Sequence, residues 1–215
     1  RRIFDNLVKF ITWTLPTNGG EGLVILAAIM AGVALPILPV QILWINMTTA
    51  VLLGLMLAFE PGEKDVMNYP PRRPESPILS GILIGRIALV SVLMLAAVFT
   101  VFNWQKGNGY PVEVARTVAV NLFIMIELTY LFNCRSLTRS MFKIGLFSNP
   151  WVLVGSGLMI VLQLLFTYTP FMNKIFHSAP ISANDWGLIA VIAIAVYGMI
   201  GLEKWVRLHI LKKAR

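Results

Sequence analysis

Apolar residues in this chain fall in blocks of about 20, separated by short polar stretches, and that block length settles the fold class. Crossing the hydrocarbon core of a bilayer takes about 20 helical residues. No backbone group can go unsatisfied there, so a spanning chain is either helical or a closed barrel. A barrel would need alternating segments of about 10 residues, which this sequence lacks. Hydrophobic residues make up 57% of the 215 and charged residues 13%, against about a quarter charged in a soluble domain. The expected fold is therefore all-α, a polytopic transmembrane helical bundle. The first block is too long, and followed by too many others, to be a cleavable signal peptide.

Six spans are expected, at about 7–34, 40–59, 78–102, 112–132, 151–168 and 186–206. An even number puts both termini on one side. Basic residues identify the side: with Arg86 and Arg116 at span edges left out, fourteen lie with the termini and the loops after the second and fourth spans, and Lys106 and Lys174 lie opposite. Positive charge marks the cytoplasmic face, so both ends are expected to be cytoplasmic. The net charge of +8 is then a topology signal, and no nucleic-acid partner is expected. Trp13, Trp104, Trp151, Trp186 and Trp205 lie towards span ends, as an aromatic belt would. Cys134 is the only cysteine, so no internal disulfide can form.

Within these apolar blocks a few polar residues are costly. Pro16-Thr17-Asn18-Gly19-Gly20-Glu21 interrupts the first span, and its proline and glycines are expected to loosen the helix there. A mid-span carboxylate is rare and needs a partner. Asn18 and Glu21 are three apart, hence on one helical face. The second span repeats that spacing with Asn46 and Thr49, and the fourth carries Glu127. Oxygen ligands without Cys or His suit hard cations such as Ca²⁺, Mg²⁺, Na⁺ or K⁺. The competing reading is that these groups only bond the helices to one another. Gly81 and Gly85, four apart, read as a small-residue packing face, and Asp185 as a helix N-cap. No phosphate-binding loop or dinucleotide turn is present, so the chain alone is not expected to hydrolyse ATP.

These residues resemble a known family. Arg2-Ile3-Phe4-Asp5-Asn6-Leu7-Val8-Lys9-Phe10 with Thr17-Asn18-Gly19-Gly20-Glu21 is similar to the fifth membrane helix of type II P-type cation-transporting ATPases. Pro39-Val40-Gln41-Ile42-Leu43-Trp44-Ile45-Asn46 resembles the family's Pro-x-Gln-x-Leu-Trp-x-Asn string in the sixth. Phe59-Glu60-Pro61 and Arg72-Arg73-Pro74 match the loop that follows, Ile126-Glu127 the eighth helix, and Asn149-Pro150-Trp151 the approach to the ninth. The likeness runs the length of the chain and is strongest for the bacterial, calcium-pump-like branch.

That resemblance implies helices five to ten of a ten-helix pump in a bacterial inner membrane. Asn18, Glu21, Asn46, Thr49 and Glu127 would bind the transported cation, and Gly81 and Gly85 would pack the seventh helix on the fifth. The loop from Glu60 to Pro77 would touch the phosphorylation domain. Phosphorylation, nucleotide-binding and actuator domains and the first four helices are expected to be supplied by a missing N-terminal part, where ATP and Mg²⁺ would act. The buried carboxylates would take up protons in exchange for the released cation. One departure bears on the ion. Calcium pumps carry an Asp directly after the sixth-helix Thr, and here that residue is Ala50. Ca²⁺ remains the first expectation, with a monovalent cation, Mg²⁺ or Mn²⁺ open. The alternative is a stand-alone ion-binding or channel-like membrane module.

Overall fold

A computed structural model describes residues 1–62, 78–79, 81–138 and 144–211. Among these every regular element is a helix, and there is no strand. The helices are α1 (Arg2–Ala31), α2 (Pro39–Thr49), α3 (Gly81–Gly107), α4 (Val112–Cys134), α5 (Pro150–Tyr168), α6 (Pro170–Phe176) and α7 (Ala183–Val206). α2 runs on as a π-helical turn, Ala50–Gly54, and a 3₁₀ turn, Leu55–Phe59. α7 likewise ends in a π-helical turn, Arg207–Leu211.

Five stretches are long and apolar enough to cross a membrane by length and composition: Pro39–Phe59, Gly81–Gly107, Val112–Cys134, Pro150–Tyr168 and Ala183–His209. The expected first span is the 30-residue α1, which is not among them. Its polar stretch dilutes the apolar content that the other five keep. The expected contact loop 60–77 and the basic residues Lys64, Arg72, Arg73, Arg139, Lys143, Lys212, Lys213 and Arg215 lie almost wholly outside the described residues, which keep only Glu60, Pro61 and Gly62 of that loop. α6 has no counterpart in the expected spans.

α4 is the centre of the bundle. Its span is 83% buried, against 28–39% for the other four. It packs on α1, α3 and α7, and its Tyr130 and Asn133 find partners on α1 and α3. The outer helices turn apolar side chains such as Leu43, Ile84, Val161 and Val191 outward. A central helix can be more polar than its neighbours when the outer helices carry the apolar surface.

α1 does not break at Pro16. A proline inside a helix deletes one N–H and orphans the carbonyl four residues earlier. Here that carbonyl is on Thr12, and the Tyr130 hydroxyl of α4 donates to it at 2.9 Å. Ser91 of α3 donates to the Pro16 carbonyl at 3.0 Å. Gly19 and Gly20 serve packing, not unwinding. A Cβ at Gly19 would lie 2.6 Å from Ser91 Oγ, and one at Gly20 3.1 Å from Met94 Cβ. The glycines let α1 and α3 approach closely. Gly81 and Gly85 do not: both are exposed, and a Cβ on either would meet nothing within 4 Å. The small-residue contact between these helices is on α1.

A buried ion pair fastens one end of the bundle. Arg135, after α4, meets Glu60, after α2, at 3.0 Å, with both side chains at most 2% exposed. Asn149, which also caps α5, donates to Glu60 Oε2 at 2.8 Å, and Asn6 of α1 donates to the Glu60 carbonyl at 2.8 Å. At the other end Gln41 accepts from Leu38 N at 2.9 Å and donates to the Phe176 carbonyl at 2.9 Å. Asp185 is not the N-cap of α7. Ser182 is, and Asp185 completes a capping box by accepting from Ser182 N at 2.8 Å.

Candidate cation site

Glu21 is on the buried face of α1 with Thr17 and Trp13, four and eight residues earlier. That i, i+4 spacing stacks them on one side of the helix. Trp13 is 2% exposed, so it is a core residue and not part of an interfacial belt. Its indole Nε1 donates to the backbone carbonyl of Glu127 at 3.0 Å, tying α1 to α4 at the depth of the acids.

Glu127 projects from the most buried helix and is 1% exposed. Thr49 and Thr17 lie beside its carboxyl, the Thr17 hydroxyl donating to the Thr14 carbonyl at 2.9 Å, and Glu21 is the charge that bears on it. Asn46 of α2 donates from Nδ2 to Glu21 Oε2 at 2.6 Å. Glu21 Oε1 and Glu127 Oε2 are each buried without a hydrogen-bond partner. Four of the expected ligands, Glu21, Asn46, Thr49 and Glu127, therefore converge from three helices.

Asn18 is apart from them. It is exposed, because three residues advance a helix by about 300° and leave it about 60° round from Glu21. Ala50, immediately after Thr49, is exposed as well. Nearby runs a groove of about 830 Å³ lined by residues including Ile3, Leu7, Phe10, Ala50, Val51 and Leu55.

Past Thr49 the helix widens into its π turn, which is wedged between two neighbours. A Cβ at Gly54 would lie 2.8 Å from the Phe10 and Trp13 rings, and one at Gly155 of α5 only 2.0 Å from the Leu52 carbonyl oxygen. Two glycine contacts on opposite sides thus hold the turn that follows Thr49. Trp13 links both features, touching Gly54 and holding the Glu127 carbonyl.

Chemically the site offers two carboxylates, one amide and two hydroxyls, all oxygen-bearing. Among the described residues no group of three or more His, Cys, Asp and Glu could hold a metal ion. Its negative charge is therefore limited to Glu21 and Glu127. Sequence reasoning missed Thr17 and Trp13. The signal for Thr17 was present, one helical turn before Glu21. Trp13 carried none, since its partner is a backbone carbonyl on a distant helix.

Residues 34–206 match the family described as "Cation transporting ATPase, C-terminus". The chain is 56% identical over 196 residues to the probable cation-transporting ATPase F of Mycobacterium tuberculosis, covering 91% of this chain and 22% of that protein. It is 33% identical over 193 residues to a calcium-transporting ATPase of Bacillus subtilis, covering 88% and 21%. It is 32% identical over 194 residues to the cation-transporting ATPase pma1 of Synechocystis, covering 87% and 21%. The chain thus spans about a fifth of the length of these relatives.

Proposed function

The chain belongs to the family of cation-transporting ATPase C-termini, and on that premise we propose that it is the membrane part of an ATP-driven pump carrying a hard cation, with Ca²⁺ first. The observation that carries this reading is the pair of buried carboxylate oxygens, Glu21 Oε1 and Glu127 Oε2, that have no partner. An unsatisfied carboxylate at membrane depth is expensive, and a cation between the two would satisfy both. Two carboxylates balance one divalent ion, and Ala50 adds none. Asn46 presents its Nδ2 to Glu21. A turn of that amide would replace the donor with Oδ1, giving the ion a third helix's oxygen. The name of the Bacillus subtilis relative, a calcium-transporting ATPase, supports Ca²⁺ over Na⁺, K⁺, Mg²⁺ or Mn²⁺. The family match does not favour a stand-alone channel-like module.

Under this reading the exposed Asn18, and Ala50 with the groove it lines, receive the pump's remaining helices, and Asn18 becomes a ligand only once they are in place. ATP, its Mg²⁺ and the phosphorylation step belong to that remainder. α1 is the first of six spans, the bundle lies in a bacterial cell membrane, and both ends of the chain are cytoplasmic. The distribution of described charges supports this topology. At one end of the bundle Arg2 and Arg135 bond to Glu60, and Lys204 and Arg207 donate to the carbonyls of Asn133 and Leu137 beside Arg135, whereas Lys106 ends α3 and Lys174 lies on α6.

The test is ATP-driven Ca²⁺ uptake into proteoliposomes by the full-length pump. Glu21→Gln and Glu127→Gln are expected each to cut uptake by about tenfold or more, as loss of a charged ligand contact does. Uptake that both variants leave unchanged overturns the assignment.

A further inference from the structure

A second feature lies on the outer wall of the bundle, between α3 and α7. There a groove of about 510 Å³ is lined by Ile82, Gly85 and Arg86 on one side and by Leu202, Glu203 and Arg207 among others on the opposite side. Arg86 is 3% exposed. One terminal nitrogen donates to Asn133 Oδ1, and the guanidinium sits 5.7 Å from the centre of the Tyr130 ring. Its Nε and other terminal nitrogen are buried with no partner, and so is Glu203 Oε2. The other Glu203 oxygen pairs with Arg207 at 3.1 Å. On the groove walls two cations, Arg86 and Arg207, share the one carboxylate of Glu203, which leaves one positive charge in surplus.

The rim is a lipid-facing surface. Ile82 is 52% exposed and Leu202 61%. Trp205, 53% exposed, and the charged run 203–207 place this end of α7 at headgroup depth, where Trp and Arg collect. Gly85 lines the groove next to Arg86, and a Cβ there would have open space around it. An occupant has to satisfy a surplus guanidinium and a carboxylate oxygen that lacks a donor, while offering hydrocarbon to the rim. Arg binds phosphate through charge-assisted hydrogen bonds. We propose that this groove binds one glycerophospholipid of the inner leaflet, its phosphodiester on Arg86 and a donor of its headgroup alcohol on Glu203. Phosphatidylglycerol, with hydroxyl donors and a negative charge, fits the surplus positive charge. Phosphatidylethanolamine supplies an ammonium donor. Phosphatidylcholine, whose quaternary ammonium has no N–H, satisfies only Arg86.

The experiment is native mass spectrometry of lipid retained by the full-length pump released from nanodiscs of equimolar phosphatidylglycerol, phosphatidylethanolamine and phosphatidylcholine. Wild type is expected to keep a bound lipid with phosphatidylglycerol enriched over phosphatidylcholine. Arg86→Gln is expected to reduce that enrichment by about tenfold, the effect of losing a charge-assisted hydrogen bond, and Arg86→Lys to restore part of it. Gly85→Leu fills the groove without touching Arg86 and favours the helix. It gives the same loss, and so decides the matter if Arg86→Gln fails to fold. No headgroup preference, or a preference that survives Gly85→Leu, overturns the proposal. So does displacement of the lipid by millimolar inorganic phosphate, which would make the ligand a free anion.

Discussion

Pro16 and Tyr130 compensate one another across a helix interface. The carbonyl that Pro16 orphans on Thr12 is the one the Tyr130 hydroxyl reaches at 2.9 Å. Tyr130→Phe is therefore expected to destabilise the bundle by about 0.6–1.7 kcal/mol, from the average to the maximum measured for interhelical hydrogen bonds in a membrane protein. In a Pro16→Ala background, where residue 16 again donates to Thr12, the same change should cost much less, and thermal unfolding of the four proteins of the cycle measures the difference. The residue scale is also where the sequence was most legible. Glu21 and Glu127 stand out because an acid inside an apolar block has few innocent explanations. Asn18 read as their neighbour because spacing gives a helical face to within about 60°, and that margin separates a buried position from an exposed one. Tyr130 carried no signal, because its role is defined by a carbonyl 118 positions away.

At the scale of elements, close approach of helices depends on a few glycines whose partners only the fold reveals. Gly81-xxx-Gly85 and Gly19-Gly20 are equally plausible packing faces in sequence. Only the arrangement around α4 decides that Gly19 and Gly20 meet α3 while Gly81 and Gly85 face outward. The π turn at Ala50–Gly54 was likewise invisible, since Ala-Val-Leu-Leu-Gly is ordinary helix-compatible sequence. Its cause is tertiary: Gly54 against Phe10 and Trp13, and Gly155 against the Leu52 carbonyl. Gly155→Ala drives a methyl into that carbonyl and should cost about 1–3 kcal/mol, as overpacking does. It should also weaken cation binding by displacing Thr49. Gly157→Ala, on the same helix with nothing within 4 Å, should leave the thermal midpoint and cation binding unchanged. Equal midpoints for the two variants would remove the wedge from the account.

For the whole molecule, block length alone identified a helical bundle. The order of burial was not in it, because α4 is the most polar of the five apolar stretches in its buried groups and yet the most enclosed. The proposed topology puts Gly62 on the cytoplasmic side and His177 outside, and both positions are exposed. A cysteine at 177 should react with an impermeant maleimide in intact cells, and a cysteine at 62 only after permeabilisation. Cys134, fully buried, should contribute little background. The reverse pattern would invert the bundle. The central claim is that acids from α1 and α4 hold the transported ion between them. Equilibrium binding of Ca²⁺ to the full-length pump, with Mg²⁺, Mn²⁺, Na⁺ and K⁺ as competitors, tests it most directly. Saturable Ca²⁺ binding that weakens by about tenfold or more in both Glu21→Gln and Glu127→Gln is the predicted result, and binding that both variants retain at full strength would contradict it.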